Sequence, residues 1–147
     1  MTEVKNDYII FRVNNLLCAL NCEDVQEIIR EKKGISQLKR APDYIQGVIN
    51  LRGQIVSVIN LTILFEFHMD NNKNASYMIV VNHGGECFGL LVSEVLDIIS
   101  ESEAAIEPPP AIPIGMRKEF LAGAFDVNGK LVTLLNKTEI INQEKAS

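Results

Sequence analysis

Tryptophan is absent from this chain of 147 residues, and aromatic side chains make up only 6% of it. That leaves little for a platform on which nucleic-acid bases could stack. A basic excess is lacking as well: 14 Lys and Arg face 19 Asp and Glu, for a net charge of −5. Nucleic-acid binding normally needs a cationic stripe that displaces counterions, so that class is disfavoured. The first residues, MTEVKND, contain no apolar signal core. The longest apolar stretch, Ile55 to Phe67, is interrupted by Ser57, Asn60, Thr62 and Glu66, which excludes a spanning helix. Cysteines number three, odd and without a secretion signal, as expected in a reducing cytoplasm.

Catalytic and metal-binding patterns are also scarce. No G-x-S-x-G elbow is present, and no Gly-rich loop opens a helix, so neither an activated nucleophile nor a phosphate cradle is indicated. Cys18-x3-Cys22 and His83-x3-Cys87 have spacings that a zinc site can use. Cys18 lies among apolar strand residues, however, and His83 and Cys87 flank a turn, so buried small hydrophobes are the simpler reading. The acids Glu101, Glu103 and Glu107 read as a solvated loop. No cofactor or metal is expected.

What the chain does contain is a repeated unit. Gly47 to Leu61, GVINLRGQIVSVINL, carries a turn at Arg52-Gly53 followed by an apolar run, and GAFDVNGKLVTLLN repeats it from Gly123. Placing Gly123 on Gly47 also aligns Gly129 with Gly53, Val132 with Val56 and Asn136 with Asn60. Upstream, Tyr8-Ile9-Ile10-Phe11 matches Tyr77-Met78-Ile79-Val80, and Val25-Gln26-Glu27-Ile28-Ile29 matches Val95-Leu96-Asp97-Ile98-Ile99. Each half thus runs strand, strand, a V-x-acid-I-I segment, a loop and a hairpin, too long for a solenoid period. Halves of about 70 residues bury only about 60% of their surface alone, so two subdomains sharing a core are expected.

The remaining elements follow from local signals. Tyr8–Val13 and Leu16–Leu20 read as strands joined at Asn14-Asn15, and Asn21 as the cap of a short helix. Arg30–Arg40 reads as loop around a short strand. Thr62–Phe67 is open between a strand end and a helical turn. The polar run Asp70–Asn74 marks the boundary between subdomains 8–70 and 71–147, with strand exchange between them allowed. Tyr77–Asn82 and Cys87–Val92 flank a Gly84-Gly85 turn. Pro108-Pro109-Pro110 and Pro113 impose an extended connection. Asn136–Gln143 reads as a short C-terminal helix. The fold class is mostly β, in two small barrels.

Arg52 is the anomaly. The second hairpin turns on Asn128-Gly129, the strongest short hairpin signal, whereas the first has arginine at the Asn position. A type I′ turn would force Arg52 into the left-handed region at about 1–2 kcal/mol. A type I turn with a G1 bulge would leave it unstrained. In neither case does turn chemistry ask for arginine. One reading is a solvated turn residue; the other is a guanidinium held for bidentate pairing with a carboxylate, with Glu27 the preferred partner.

These residues make the chain resemble the CheW family, the adaptors that couple chemoreceptors to the histidine kinase CheA. The likeness rests on V-Q-E-I-I at Val25–Ile29, P-x-Y-I-x-G-V-I-N-L-R-G and the V-I run at Pro42–Leu61, GLLVSEVLDII at Gly89–Ile99, I-x-P-P-P at Ile106–Pro110 and the last hairpin. With no kinase, receiver or membrane segment attached, it points to the free-standing adaptor rather than to the same module inside CheA. Asn60 stands where the family usually has aspartate, which keeps hydrogen-bonding capacity but drops a charge. Cys18-Ala19 replaces a Gly-containing pair. The resemblance implies two interlocked five-stranded SH3-like barrels, no catalysis, a cytoplasmic protein recruited to membrane-bound receptor arrays, and two partner surfaces. One engages the CheA regulatory domain end to end; the other engages the cytoplasmic tip of chemoreceptors as a helix-in-groove contact. Carried over by motif, Val25, Glu27, Gly47, Asn50, Leu51 and Arg52 belong to these surfaces, although Gly47 can serve close backbone approach and Leu51 the core. The alternative is a paralogous adaptor for a CheA-type system controlling surface motility or another output.

Overall fold

The computed structural model describes residues 4–30, 35–66, 77–113 and 116–146. Its strands are β1 (Lys5–Val13), β2 (Leu16–Asn21), β3 (Val25–Ile29), β4 (Ile45–Leu51), β5 (Gln54–Asn60), β6 (Tyr77–His83), β7 (Glu86–Val92), β8 (Glu94–Ser102), β9 (Leu121–Val127) and β10 (Lys130–Leu135). Two helices, α1 (Leu61–Leu64) and α2 (Lys137–Ala146), accompany them. The expected boundary at Asp70–Asn74 lies outside the described residues. So does residue 67 of the ambiguous segment, whose described part forms α1 and its end.

The strands form two five-stranded sheets, β8-β1-β2-β10-β9 and β3-β6-β7-β5-β4. Written this way the repeat becomes geometric, since β3 answers to β8, β6 to β1, β7 to β2, β5 to β10 and β4 to β9. Each sheet has one parallel pair at the same place, β2 with β10 and β7 with β5. Even the irregularities recur. Register shifts leave Gln26 and Leu96 unpaired in β3 and β8, and Gln46 and Ala122 in β4 and β9. Such bulges bend and twist a strand, which favours closure of a small sheet. Closure itself is visible in two isolated bridges. Ser36, just beyond edge strand β3, pairs with Val48 on the opposite edge β4, and Glu107, beyond β8, pairs with Ala124 on β9. Mostly β architecture in two SH3-like barrels is therefore what the chain adopts.

The sheets do not follow a division at residue 70. β1 and β2 belong with β8–β10, while β6 and β7 belong with β3–β5. Each repeat thus gives its first hairpin to one barrel and its remaining strands to the other. The chain changes barrel at Cys22–Asp24, one turn of 3-10 helix capped by the Asn21 side chain, and again at Ser93 between β7 and β8. Self-similarity along the sequence reveals the repeat but not the partner of each hairpin, because either pairing presents the same apolar pattern.

The exchange also explains the continuous apolar runs at Tyr8–Phe11 and Met78–Val81, where a half-solvated strand would alternate. On β1, Ile9, Phe11 and Val13 enter one large core together with Ile79, Val81, Phe88 and Leu90 of the other sheet. The intervening Tyr8 and Ile10 fill the first barrel with Phe125 and Val132, and Met78 and Val80 fill the second with Val56 and Val58. Leu61 from α1, Phe65 at its C-cap, and Ile140 and Ile141 from α2 complete the shared core. Lys137 adds a polar tie from α2 to the second barrel, donating to Asp24 Oδ1 at 3.2 Å and to the Asn82 carbonyl at 2.6 Å.

Asn60 and Asn136, aligned in the repeat, both act as helix caps. Asn60 Oδ1 accepts from the Thr62 and Ile63 amides, and Asn136 Oδ1 accepts from the Glu139 amide. Asn60 is buried, so the departure from aspartate sits on a cap rather than on a contact surface. A cap needs the acceptor oxygen, which Asn retains.

Cys18 is wholly buried in β2, and burial pushes its thiol well above its ordinary value. Burial raises the half-buried Cys22 too, with the Asp7 charge adding to it. Alkylation of Cys18 is expected only on global opening, after Cys87 has reacted, as read by mass spectrometry along a urea titration. The folded chain keeps its Cys18 proton where the unfolded chain loses it, so stability falls as pH rises above about 8.5. Labelling of Cys18 at the rate of Cys87 in the native protein would contradict this burial.

Candidate functional site

The β4–β5 hairpin pairs Leu51 with Gln54 and turns on two residues. Arg52 has φ +52° and Gly53 φ +86°, which makes this a type I′ turn, the alternative that strains arginine. The β9–β10 hairpin is its copy, with Asn128 at +53° and Gly129 at +83°. Both turns use the same internal bond. Asn50 Oδ1 accepts from the Gly53 amide at 2.9 Å, and Asp126 Oδ1 accepts from the Gly129 amide at 2.8 Å. One backbone design therefore accepts asparagine in the second copy and carries arginine in the first at about 1–2 kcal/mol of strain.

The guanidinium meets Glu27. Its Nη1 and Nη2 donate to the two carboxylate oxygens, a bidentate arrangement with Nη2 at 3.3 Å from Oε1. Glu27 stands on β3 directly after the Gln26 bulge. The pair therefore joins an edge strand of the second sheet to the hairpin of its opposite edge. The Arg52 side chain is 72% exposed and that of Glu27 22%. A pair this exposed contributes about 0–1 kcal/mol, which offsets the backbone strain at best. Stability does not account for Arg52. In the other barrel the position of Glu27 is Asp97, whose carboxylate accepts from the neighbouring Ile98 amide, and the hairpin tip is the uncharged Asn128. The ion pair belongs to one barrel only.

The six residues singled out in the sequence take different places. Glu27, Asn50 and Arg52 converge at the hairpin tip. Gly47 is buried, and a Cβ there would lie 2.2 Å from the Ser36 carbonyl oxygen, so close backbone approach explains it. Leu51 is half-buried against the cluster of Ile49, Val56 and Met78, and Val25 packs at the margin of the shared core. These three support the surface rather than form it.

Ile55, across from Asn50 at the base of the same hairpin, went unnoticed in the sequence and is 67% exposed. It was hidden inside an apolar run. The signal was present in the alternation, since Val56 and Val58 point inward and place Ile55 and Ser57 on the other face. A groove of about 300 Å³ opens next to it, between the starts of β5 and β7. There Cys87 Sγ lies 3.1 Å from Gln26 Oε1 and 3.3 Å from Asn82 Oδ1. Among the described residues no group of three or more His, Cys, Asp or Glu is placed to hold a metal ion. No described helix is long and apolar enough to cross a membrane.

Residues 7–145 match the family model of the CheW-like domain. The chain is 28% identical to the chemotaxis protein CheW of Klebsiella aerogenes, over 97% of its own length and 85% of that protein. It is 27% identical to the chemotaxis protein CheW of Rhizobium meliloti, over 99% and 93%. Protein FrzA of Myxococcus xanthus is 25% identical over 93% and 86%. The crystal structure of the scaffolding protein TtCheW from Thermoanaerobacter tengcongensis superposes with a TM-score of 0.82 and 28% identity, covering 92% of this chain and 87% of that one. This protein belongs to the CheW-like domain family, a scaffold and adaptor family in which the domain itself is not an enzyme.

Proposed function

We propose that this chain couples methyl-accepting chemoreceptors to a CheA-type histidine kinase, as a cytoplasmic adaptor recruited to membrane-bound receptor arrays. It has no chemistry of its own to perform; it raises kinase response by holding receptor and kinase at high effective concentration. The observation that carries this is the strained, exposed Arg52 locked to Glu27 at a hairpin tip, an arrangement that stability does not demand. At the base of the same hairpin the exposed cross-strand neighbours Asn50 and Ile55 supply polar and apolar contact area of the kind a barrel-to-barrel interface uses. Val25, Gly47 and Leu51 set its shape from beneath. A second reading, a paralogous adaptor serving a CheA-type system for surface motility or another output, draws support from the likeness to FrzA, a relative that carries a different name.

Arg52→Asn separates function from fold, because it recreates the Asn-Gly turn that the second hairpin already uses. Folding stability is expected to stay within about 1 kcal/mol of wild type, since relief of αL strain offsets the lost ion pair. Capture of a CheA regulatory domain, measured by pull-down, and stimulation of the kinase are expected to fall at least tenfold, as for a central arginine anchor. Glu27→Gln should follow the same course more mildly. Normal assembly and stimulation by both variants would overturn the assignment of this surface.

A further inference from the structure

The two hairpins differ in a second, opposite sense. Asn50 and Asp126 make the same turn bond to the glycine amide three residues on, so the negative charge of Asp126 is not needed for the turn. It faces a groove of about 500 Å³ between hairpin β9–β10 and the connection that follows β8. Glu101 and Glu107 line the same groove, together with Pro108, Pro110 and Leu131, the last 47% exposed. Leu131 corresponds to Ile55 in the repeat, whereas Glu107 corresponds to Ser36, which makes the equivalent bridge in the other barrel. The apolar position is thus shared by both barrels, and the acids at Asp126 and Glu107 are particular to this one. Among the described residues, no Lys or Arg pairs with Glu101, Glu107 or Asp126. The walls are fixed in advance, because the Glu107 amide donates to the Ala124 carbonyl at 2.8 Å and the Ala124 amide donates to the Glu107 carbonyl at 2.7 Å.

We propose that this groove docks a cationic segment of a partner protein, one apolar side chain seated against Leu131 and the two prolines, with Lys or Arg on either side reaching the three carboxylates. Charge complementarity selects that occupant: an acidic or neutral segment would leave three carboxylates facing it uncompensated, and like-charge juxtaposition is a strong means of rejecting wrong partners. The surface lies in the other barrel from Arg52 and Glu27, so it is separate from the contact proposed above.

The test uses the full-length chain, isotope-labelled, titrated at low salt with a short synthetic peptide holding one leucine between pairs of lysines. Amide shifts concentrated at Glu107, Ala124, Asp126 and Leu131 are expected, with affinity falling as salt rises. Glu107→Gln combined with Asp126→Asn should weaken binding about tenfold without changing the unfolding midpoint, because the turn acceptor is retained. Exchanging the peptide's leucine for serine should also weaken it. Shifts scattered over other acidic surfaces, equal binding by the double variant, or equal binding of a peptide with glutamates for lysines would overturn the proposal. Concentration-dependent shifts at these amides without peptide would assign the groove to a second copy of this chain and overturn it as well.

Discussion

Gly47→Ala should cost this protein about 4 kcal/mol, a large share of the roughly 5–15 kcal/mol that holds a domain of this size together. Two effects combine at this position. The backbone sits at φ +149°, a conformation that L side chains rarely adopt, and a Cβ would lie 2.2 Å from the Ser36 carbonyl oxygen. That oxygen accepts from the Val48 amide at 2.9 Å, while the Ser36 amide donates to the Val48 carbonyl at 2.8 Å. Relief of the clash therefore breaks both bonds of the bridge that closes the second barrel. Gly123, its counterpart, supplies the control. A Cβ there would meet the Ile106 Cγ2 at 2.6 Å and the Glu107 oxygen at 3.1 Å, so the closest clash is with a side chain, relieved by a χ1 shift of Ile106 rather than by breaking a backbone bridge. Gly123→Ala should lose only about 1–2 kcal/mol. Urea denaturation of the two variants checks the ranking, and equal losses would show that the bridge at Ser36 does not govern the closure.

That glycine also illustrates what could be read in advance. Turn residues, caps and the V-x-acid-I-I segments are local signals: Asn128-Gly129, Gly84-Gly85, Asn21 and the repeat itself all appear where the residue types place them. The partnership of Arg52 with Glu27 was legible because two anomalies, an arginine in a turn and an acid in an apolar segment, needed each other. The turn type was not, since Arg-Gly fits both I′ and bulged geometries until φ is known. Four bulges left no trace, because one unpaired residue within a strand-like run alters neither composition nor overall pattern. Exchange was allowed at the boundary and implied by the family resemblance, but which hairpin joins which barrel was not legible in the local pattern, for a deeper reason. Reciprocal exchange of hairpins between two similar sheets preserves every local contact type, so no single position distinguishes the exchanged fold from the simple one.

The same exchange makes the two barrels one cooperative unit, and Phe11→Ala is the substitution that shows it. Phe11 is fully buried on β1, in the core where Ile9 and Val13 of the first sheet meet Ile79, Val81 and Phe88 of the second. Truncation there should remove about 3–5 kcal/mol through lost burial and the cavity left behind. Phe125, inside the first barrel beside Tyr8 at a ring separation of 5.3 Å, lies away from that shared core. Independent barrels would respond differently to the two changes: Phe125→Ala would melt the first barrel early and leave the second standing. Here the first barrel takes β1 and β2 from one half of the chain and β8–β10 from the other, so neither barrel can unfold without stripping the face of its neighbour. Both variants should therefore shift a single transition to lower denaturant without splitting it. Far-ultraviolet circular dichroism reports both sheets together. Tyrosine emission, undisturbed because the chain has no tryptophan, samples Tyr8 in the first sheet, Tyr77 in the second and Tyr44 directly before β4 of the second. Coincident curves from the two probes are the expected result, whereas a two-step transition in Phe125→Ala would mean that the shared core does not couple the barrels. The coupling matters for an adaptor. Two contact surfaces on separate barrels can hold two partners in a fixed relation only when the barrels themselves do not come apart.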